Sequence, residues 1–236
     1  MAAHDASPSA LAALVERRFG DRPEVPADIP GAETLARMLD RSSQRRFRKE
    51  PVDPRLLDLV CAAALSAPSK SDMQQADIVI VRDPAKRARI AALLPDNPWI
   101  PTAPEFLIFC GNNARQRDIA KLRDKPYPND HLDPFFNAAI DAGIVLSAFI
   151  FAAEATGLGC CPVSVIRNYA DEVSQMLELP DYAFPVAGMG LGWPDGKAPM
   201  SPRLPMPVTV HVDRHDHAAF ARELPRYDAR RIELRP

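Results

Sequence analysis

Nine residues, "RSSQRRFRK" at 41–49, combine five cations with two adjacent serines in a chain whose formal net charge is only -2. Arg41, Ser43 and Arg45 fall at alternate positions, so an extended backbone would direct their side chains the same way. Two guanidiniums and a hydroxyl arranged like this suit a phosphate group, because the planar fork of arginine donates two parallel hydrogen bonds to phosphate oxygens. A solvated helix end would carry the same charges, and spacing alone does not separate the two interpretations.

A glycine-rich stretch could be mistaken for a nucleotide-binding motif. The sequence "GMGLGW" at 188–193 lacks the third glycine of the dinucleotide-binding pattern, and "PDG" follows where a helix would have to begin. We therefore exclude a Rossmann-type site. The glycines instead predict a central strand that packs closely against a neighbour or a flat ligand.

Metal and nucleophile motifs are weaker. "HVDRHDH" at 211–217 contains no cysteine and mixes opposite charges, which favours a solvated turn over a metal site. In "SAPSKS" at 66–71 no serine is followed by lysine three positions on, so we expect no nucleophile of the serine and lysine hydrolase type. Four cysteines without a C-x-x-C motif predict buried free thiols.

The whole-chain composition is that of one globular domain with arms: 236 residues, 47% hydrophobic and 25% charged. A net charge of -2 gives no general affinity for nucleic acid or an acidic membrane surface. The longest apolar run, 143–153, covers about half of the ~20 residues that a membrane span needs. The N-terminus lacks the basic head and apolar core of an export signal, so we expect a cytoplasmic protein.

Periodicity and capping patterns predict helices alternating with a few strands. Helices are expected at 8–20, 32–39, 54–67, 85–94, 131–156 and 169–179, and strands at 76–83, 105–111, 184–194 and 207–213. This order favours the α+β class, with a small, mostly antiparallel sheet surrounded by helices. The long helix is apolar nearly all round in its second half, which predicts burial on every side and a subunit interface.

In order along the chain, five segments resemble the FMN-dependent nitroreductase family, in particular its NADPH-dependent nitroreductase and flavin reductase branch. They are "RSSQRRFRKEPV", "ALSAPSKSDMQQADIVIV", "APEFLIFCGN", "AAEATGLGCCPVSVIRN" and "LELPDYAFPVAGMGLGWPDGKAPMSPRLPMPVTVH". The resemblance implies a nitroreductase-like fold and a homodimer with FMN at its interface. It also implies an FMN-binding domain at 31–212, after an N-terminal helical arm at 1–30 and before a C-terminal extension at 213–236.

The resemblance also implies where FMN would be bound. Arg41 and Ser43, with Ser42 between them, would meet its phosphate, and Arg45 would lie near N1 and O2 of the ring. Pro68, Ser69 and Ser71 would contact FMN across the dimer, and Asn97 would meet the pyrimidine edge of the ring. The backbone of Pro162, Val163, Ser164 and Val165 would lie along the flavin. Ser201 and Arg203 would form a second phosphate-binding segment.

Three positions depart from the family pattern. Ser42 stands where relatives often carry arginine or histidine, and Asp72 stands where many carry asparagine. Ser201 stands where relatives carry lysine, which removes one positive charge from the phosphate site and leaves Arg41 and Arg203 to offset the loss.

The activity implied by the resemblance is ping-pong transfer of hydride from NADPH or NADH, through flavin N5, to nitroaromatic, quinone or flavin acceptors. No side chain is expected to act as an acid or base, and the partners are small-molecule electron acceptors, with no nucleic acid or membrane. Two alternatives stay open. One is a specialised flavoenzyme of the same fold, such as a reductive dehalogenase or a flavin-fragmenting enzyme, in which 115–130 would be a substrate lid. The other is a non-catalytic FMN-binding module. The C-terminal extension favours NADPH over NADH only weakly. Arg230 and Arg231 could bind the 2'-phosphate of NADPH, but a solvated basic terminus explains these two residues better.

Overall fold

The structure is a computed structural model that describes residues 5–234. These residues contain eight α-helices: α1 (Pro8–Phe19), α2 (Ala32–Asp40), α3 (Pro54–Leu65), α4 (Pro84–Leu93), α5 (Ala114–Leu122), α6 (Leu132–Ala155), α7 (Ala170–Leu177) and α8 (Ala218–Leu234). They also contain four strands: β1 (Ala76–Ile80), β2 (Glu105–Asn112), β3 (Gly159–Val163) and β4 (Ala183–Gly192).

Contacts within the chain define two compact units. The smaller is the described part of Met1–Ser42 together with that of Ala198–Pro236, and it contains α1, α2 and α8. The larger is Ser43–Lys197, which contains the sheet and the other helices. The division at residues 30 and 212 that the resemblance implies stays a prediction.

The sheet lies in the larger unit and has the order β1–β2–β4–β3, with every neighbouring pair antiparallel. This confirms the small antiparallel sheet predicted from the sequence. Alternate residues of β2 enter two different core layers, because successive side chains of a strand point to opposite faces. Phe106 and Ile108 join one layer, whereas Leu107 and Phe109 join the other. Both faces of the sheet are therefore covered.

Three helices begin as their sequences predict. Ser7, Asp53 and Asp83 each precede a proline, and each side chain accepts a hydrogen bond from a backbone N–H in the first turn of α1, α3 or α4. Gly20 ends α1 with a left-handed φ of 97°, which glycine adopts without a Cβ penalty. Helix α3 ends at Leu65, two residues before the predicted end.

The glycines of β4 make room for close neighbours. A Cβ at Gly190 would lie 2.4 Å from Cζ3 of Trp99, and one at Gly188 would lie 2.8 Å from Cγ1 of Val163. The strand is central in the sheet, and no helix follows it directly. This confirms the close-packing interpretation of "GMGLGW".

Helix α6 packs on α3 and on the sheet, where Phe149 meets Phe109 edge to face at a centroid distance of 5.2 Å. By length and composition it is also the one helix among residues 5–234 that could cross a membrane. The same test is passed by core helices, so it is weak evidence for a span. The predicted burial concerned the second half of α6, where Val145, Phe149 and Ala153 are buried, and its coverage by a partner chain stays a prediction. In the first half, exposed apolar side chains form an outer face: Leu132, Phe135, Phe136 and Ile140.

The predicted strand at 207–213 is wrong. Met206–Val208 form one turn of 3-10 helix, and residues 209–213 form no strand. The β-branched run favours a strand, but a strand also needs a neighbour to accept its hydrogen bonds. Val210 and Val212 are exposed at 56% and 80%.

Two helices were missed in the sequence. Helix α5 is dominated by charged residues, which obscure its apolar periodicity. Helix α8 contains Pro225 in its interior, and a proline there usually argues against a helix.

Candidate functional site

The basic stretch leaves α2 and, from Ser43 onward, runs along the sheet of the larger unit. The backbone N–H of Gln44 donates to the carbonyl of Cys160 in β3 at 2.8 Å. Farther on, Phe47 forms an antiparallel bridge with Pro194, just beyond β4. Ser43 and Arg45 are thereby fixed beside the outer edge of β3, which is an edge strand.

The neighbouring side chains of Gln44 and Arg45 differ in exposure. Gln44 is 5% exposed, and its side-chain amide donates to the carbonyls of Arg46 and Gly196. A Cβ at Gly159 would lie 2.8 Å from Cβ of Gln44, so glycine makes this approach possible. Arg45, the next residue, is exposed. The inward Gln44 therefore holds the stretch while Arg45 stays available to a ligand.

The end of β3 presents the next predicted contacts. Pro162 and Val163 belong to the strand, whereas Ser164 and Val165 are exposed where the strand turns into a 3-10 helix. Arg167 fixes this turn, because its guanidinium donates to the carbonyl of Val186 in β4 at 2.8 Å.

A buried carboxylate holds the loop that carries Pro68, Ser69 and Ser71. Asp141, in the middle of α6, is 2% exposed and accepts hydrogen bonds from the backbone N–H groups of Lys70 at 3.0 Å and Gln75 at 3.2 Å. Pro68 and Ser69 are exposed. The buried Oγ of Ser71 has no hydrogen-bond partner among residues 5–234.

Asn97 lies in the turn between α4 and β2. Its carbonyl accepts from the N–H of Ile100 at 3.0 Å. Arg87 of α4 donates to the carbonyls of Ile100 and Pro104, each at 3.2 Å, and also to the carbonyl of Ala103. Burial lowers the pKa of Arg87 from its ordinary value. Sequence reasoning missed Arg87, because its position inside an ordinary helix gave no indication that it holds the segment after Asn97.

Arg41, Ser42, Ser201 and Arg203 belong to the smaller unit. There Arg18 of α1 is 5% exposed, and its guanidinium donates to the carbonyls of Leu39, Arg41 and Ser201. Burial, with Arg203 and Arg41 as further causes, lowers the pKa of Arg18 to about 10. Arg18 was also missed, since nothing in "VERRFG" distinguishes it from its exposed neighbour Arg17.

Arg230 is not the freely solvated residue that the sequence favoured. Its guanidinium donates to the carbonyls of Arg18 at 3.2 Å and Arg203 at 2.5 Å. Burial is the main cause of the lowered pKa of Arg230. Arg231, in contrast, is exposed.

The implied FMN contacts are thus divided between the two units. In the smaller unit Arg18 contacts the backbone of Arg41, Ser201 and Arg203. In the larger unit the stretch at 43–45 lies beside β3, and the union of all these residues in a single FMN site stays a prediction. Four implied contacts, named above, lie in the smaller unit. The remaining ten lie in the larger unit: Ser43, Arg45, Pro68, Ser69, Ser71, Asn97, Pro162, Val163, Ser164 and Val165.

The segment at 115–130, the candidate lid, is tied to the rest of the larger unit. The guanidinium of Arg117 lies over the Tyr182 ring at 3.6 Å and the Tyr127 ring at 5.1 Å, and it pairs with Asp130. Arg115 pairs with Asp77 at the start of the sheet. Its function as a lid stays a prediction.

Thiol and metal chemistry find little support in the part of the chain that is described. Its four cysteines form no disulfide, and burial raises the pKa of Cys61 to about 11 and that of Cys110 to about 12. These two thiols are protonated at neutral pH and are poor nucleophiles. The His211 and His215 rings lie 4.3 Å apart, but no group of three or more metal-ligating side chains in residues 5–234 could hold a metal ion.

Comparison with known proteins identifies the class. The model of the nitroreductase family matches residues 38–193. The FMN reductase [NAD(P)H] of Bacillus subtilis is 35% identical over 185 residues, which cover 78% of this chain and 74% of the relative.

Solved structures agree with the sequence match. Nitroreductase A of Vibrio parahaemolyticus has a TM-score of 0.80 at 30% identity, covering 88% of this chain and 86% of its own. The NADPH:FMN oxidoreductase of Vibrio harveyi, solved with NAD+, has a TM-score of 0.78 at 29% identity, covering 86% of each chain. The chain belongs to the nitroreductase family and has the nitroreductase-like fold.

Proposed function

We propose that this protein is an FMN-dependent NAD(P)H oxidoreductase that passes electrons from a nicotinamide donor to small-molecule acceptors. The observation that carries this proposal is the family match over 38–193, which includes the basic stretch beside β3. Relatives named FMN reductase [NAD(P)H] and NADPH-flavin oxidoreductase, at 35% and 32% identity, support it.

Two features of this chain fit FMN as the cofactor. Burial lowers the pKa of Arg18, and the nearby charges of Arg203 and Arg41 lower it further. Such a group of like charges favours an anion such as a phosphate. The unpartnered Oγ of Ser71 is a polar atom that rotation of its side chain could offer to a ligand. Arg41, Arg203 and Ser71 belong to segments that the family resemblance assigns to FMN.

When bound, FMN supplies the two-electron chemistry, and the protein supplies position and charge. Arg41, Ser42, Ser43, Ser201 and Arg203 would hold the phosphate. Arg45 would stabilise negative charge at N1 and O2, because a fixed cation lowers the energy of the charge that develops there.

The other contacts orient the ring. Ser69 and Ser71 would reach a flavin from the partner chain, with Pro68 beside them, and Asn97 would meet the pyrimidine edge. The segment Pro162–Val165 would lie along the flavin.

We further propose a homodimer formed through the outer face of α6. Phe136 and Ile140 are exposed at 52% and 57%, and a Cβ at Gly143 would find no atom within 4 Å. Apolar patches of this kind mark interaction surfaces, and closed two-fold pairing of identical patches is the commonest way to cover them. We also propose a cytoplasmic location, in keeping with four cysteines that form no disulfide.

NADPH is proposed as the preferred donor, with NADH as the alternative, and nitroaromatics, quinones or free flavin as acceptors. Initial rates of NADPH oxidation, measured while donor and quinone are both varied, test this mechanism. Parallel double-reciprocal lines are expected, because the donor leaves before the acceptor binds. Intersecting lines would contradict the ping-pong order. Turnover confined to a halogenated phenol would favour a reductive dehalogenase.

A further inference from the structure

Arg18 is a buried cation whose hydrogen bonds join two separate stretches of the smaller unit. Its guanidinium donates to Leu39 and Arg41, at the end of α2, at 2.7 and 2.5 Å. It also donates to the carbonyl of Ser201 at 2.8 Å, 183 residues along the chain. Ser201 lies two residues before Arg203, so Arg18 fixes the backbone on which both phosphate-binding cations are carried.

The backbone of Arg18 makes a second set of contacts to the same stretches. Its carbonyl accepts from the N–H of Arg203 at 2.7 Å and from the Arg230 guanidinium at 3.2 Å. Arg230 also donates to the carbonyl of Arg203. Arg203 is therefore held through its own N–H and C=O while its side chain stays exposed.

The charges around Arg18 are mostly of its own sign: together with burial, Arg203, Arg41 and Arg17 lower its pKa, and the carboxylate of Asp40 opposes them. Burial is the largest cause of the low pKa of Arg18, and the next two are the charges of Arg203 and Arg41. At about 10 that pKa still leaves Arg18 protonated at neutral pH. If Arg18 served only to join backbone segments, the folded protein would be more stable without the cations Arg41 and Arg203 beside it. An anion bound by those two cations would offset the repulsion.

We propose that Arg18 is a positioning residue for a phosphate monoester: it orients Arg41 and Arg203 toward the phosphate without touching it. The proposal rests on the proposed function, since the phosphate would be that of FMN. Lysine could not replace Arg18, because an ammonium lacks the planar fork that reaches three carbonyls at once. The N-terminal arm would then belong to the cofactor site although it supplies no ligand.

Binding of FMN and of riboflavin, which lacks the phosphate, tests the proposal without any turnover. Apoprotein is titrated with each flavin while its fluorescence is followed, for the wild type and for Arg18→Lys and Arg18→Met. The ratio of FMN affinity to riboflavin affinity is expected to fall about tenfold in both variants, which equals about 1.4 kcal/mol of phosphate binding. Riboflavin affinity should stay close to that of the wild type.

Arg22→Ala is the matched control, because Arg22 is an exposed arginine just after the same helix, paired with Glu16 at 3.0 Å. Its affinity ratio should equal that of the wild type. An unchanged ratio in the Arg18 variants, or an equal loss of both flavins, would overturn the proposal in favour of a purely structural residue. A wild type that binds neither flavin would contradict the proposed function instead.

If both Arg18 variants fail to fold, Arg230→Met carries the test. Arg230 holds the carbonyls of Arg18 and Arg203 from α8, so its loss should lower the same ratio several-fold, while riboflavin affinity stays unchanged. A wild-type ratio in a folded Arg230→Met protein would contradict the proposal.

Discussion

Buried charges of opposite sign hold two segments of this chain that are assigned to FMN. In the larger unit the carboxylate of Asp141 accepts from backbone N–H groups of the loop that carries Ser69 and Ser71. In the smaller unit the guanidinium of Arg18 donates to backbone carbonyls next to Arg41 and Arg203. The first segment presents neutral hydroxyls, whereas the second presents more positive charge.

The two regions differ in the interactions that each buried charge makes with its neighbours. A buried carboxylate that accepts N–H groups stabilises its loop whether or not a ligand is bound. A buried guanidinium beside two other guanidiniums is satisfied by hydrogen bonds, but burial and the neighbouring arginines outweigh the attraction of Asp40. We therefore expect the Asp141 region to govern folding stability and the Arg18 region to govern affinity for an anion.

The largest effect should come from Asp141→Ala. This change leaves the part-buried N–H of Lys70 and the buried N–H of Gln75 without their acceptor, so the free energy of unfolding should fall by about 2–4 kcal/mol. Urea denaturation measures the loss. Asp133→Asn, in the exposed first turn of the same helix, should lower stability by only about 0.3–1 kcal/mol. Equal stability of Asp141→Ala and wild type would remove the distinction between the two regions.

Neighbouring glutamines in the same loop should respond with opposite signs. Gln75 is 1% exposed, and neither side-chain polar atom has a hydrogen-bond partner among residues 5–234, so Gln75→Met should raise the free energy of unfolding by about 1 kcal/mol. Gln74 donates to the carbonyl of Leu65 at 2.8 Å, so Gln74→Met should lower it by about 1 kcal/mol. Thermal unfolding of both variants decides the point. A Gln75→Met protein that melts below the wild type would mean that the amide has a partner in solution.

Salt should separate the contribution of the cations from that of the hydroxyls. Raising sodium chloride from about 50 to about 500 mM should weaken FMN binding several-fold, because Arg203 is exposed and its attraction for phosphate is screened. Riboflavin binding, which lacks that attraction, should change by less than about twofold. Isothermal titration at the two salt concentrations provides the measurement. Equal salt dependence for both flavins would show that the cations do not meet the phosphate.

The smallest effect concerns Asp53, an exposed carboxylate that contrasts with the buried Asp141. The side chain of Arg55, followed by its backbone N–H, lowers the pKa of Asp53 to about 2. Because the unfolded value is near 3.9, the charged form contributes stability above about pH 4, and this contribution is lost as the pH falls toward 2. The melting temperature of wild type should exceed that of Asp53→Asn at about pH 5 and approach it at about pH 2.5. A difference that does not depend on pH would show that charge is unimportant at this cap.

Local patterns predicted much of the fold and only part of the site. The cap and proline pairs before α1, α3 and α4 act within one turn, so they could be recognised directly. The run at 207–213 failed because a strand depends on a neighbour that a local pattern does not show. Arg18 and Asp141 escaped notice for a similar reason, since their partners lie 183 and 71 residues away. Long-range packing decides which arginine or aspartate becomes a positioning residue.

The most direct test of the proposed function is an anaerobic visible spectrum of the FMN-loaded protein before and after addition of NADPH, and then of NADH in a second sample. We expect a flavin absorption band that NADPH bleaches more rapidly than NADH. A bound flavin that neither nicotinamide reduces would identify a non-catalytic binding module. A protein that stays colourless after incubation with FMN would contradict the assignment of Arg41, Ser43 and Arg45 to a flavin site.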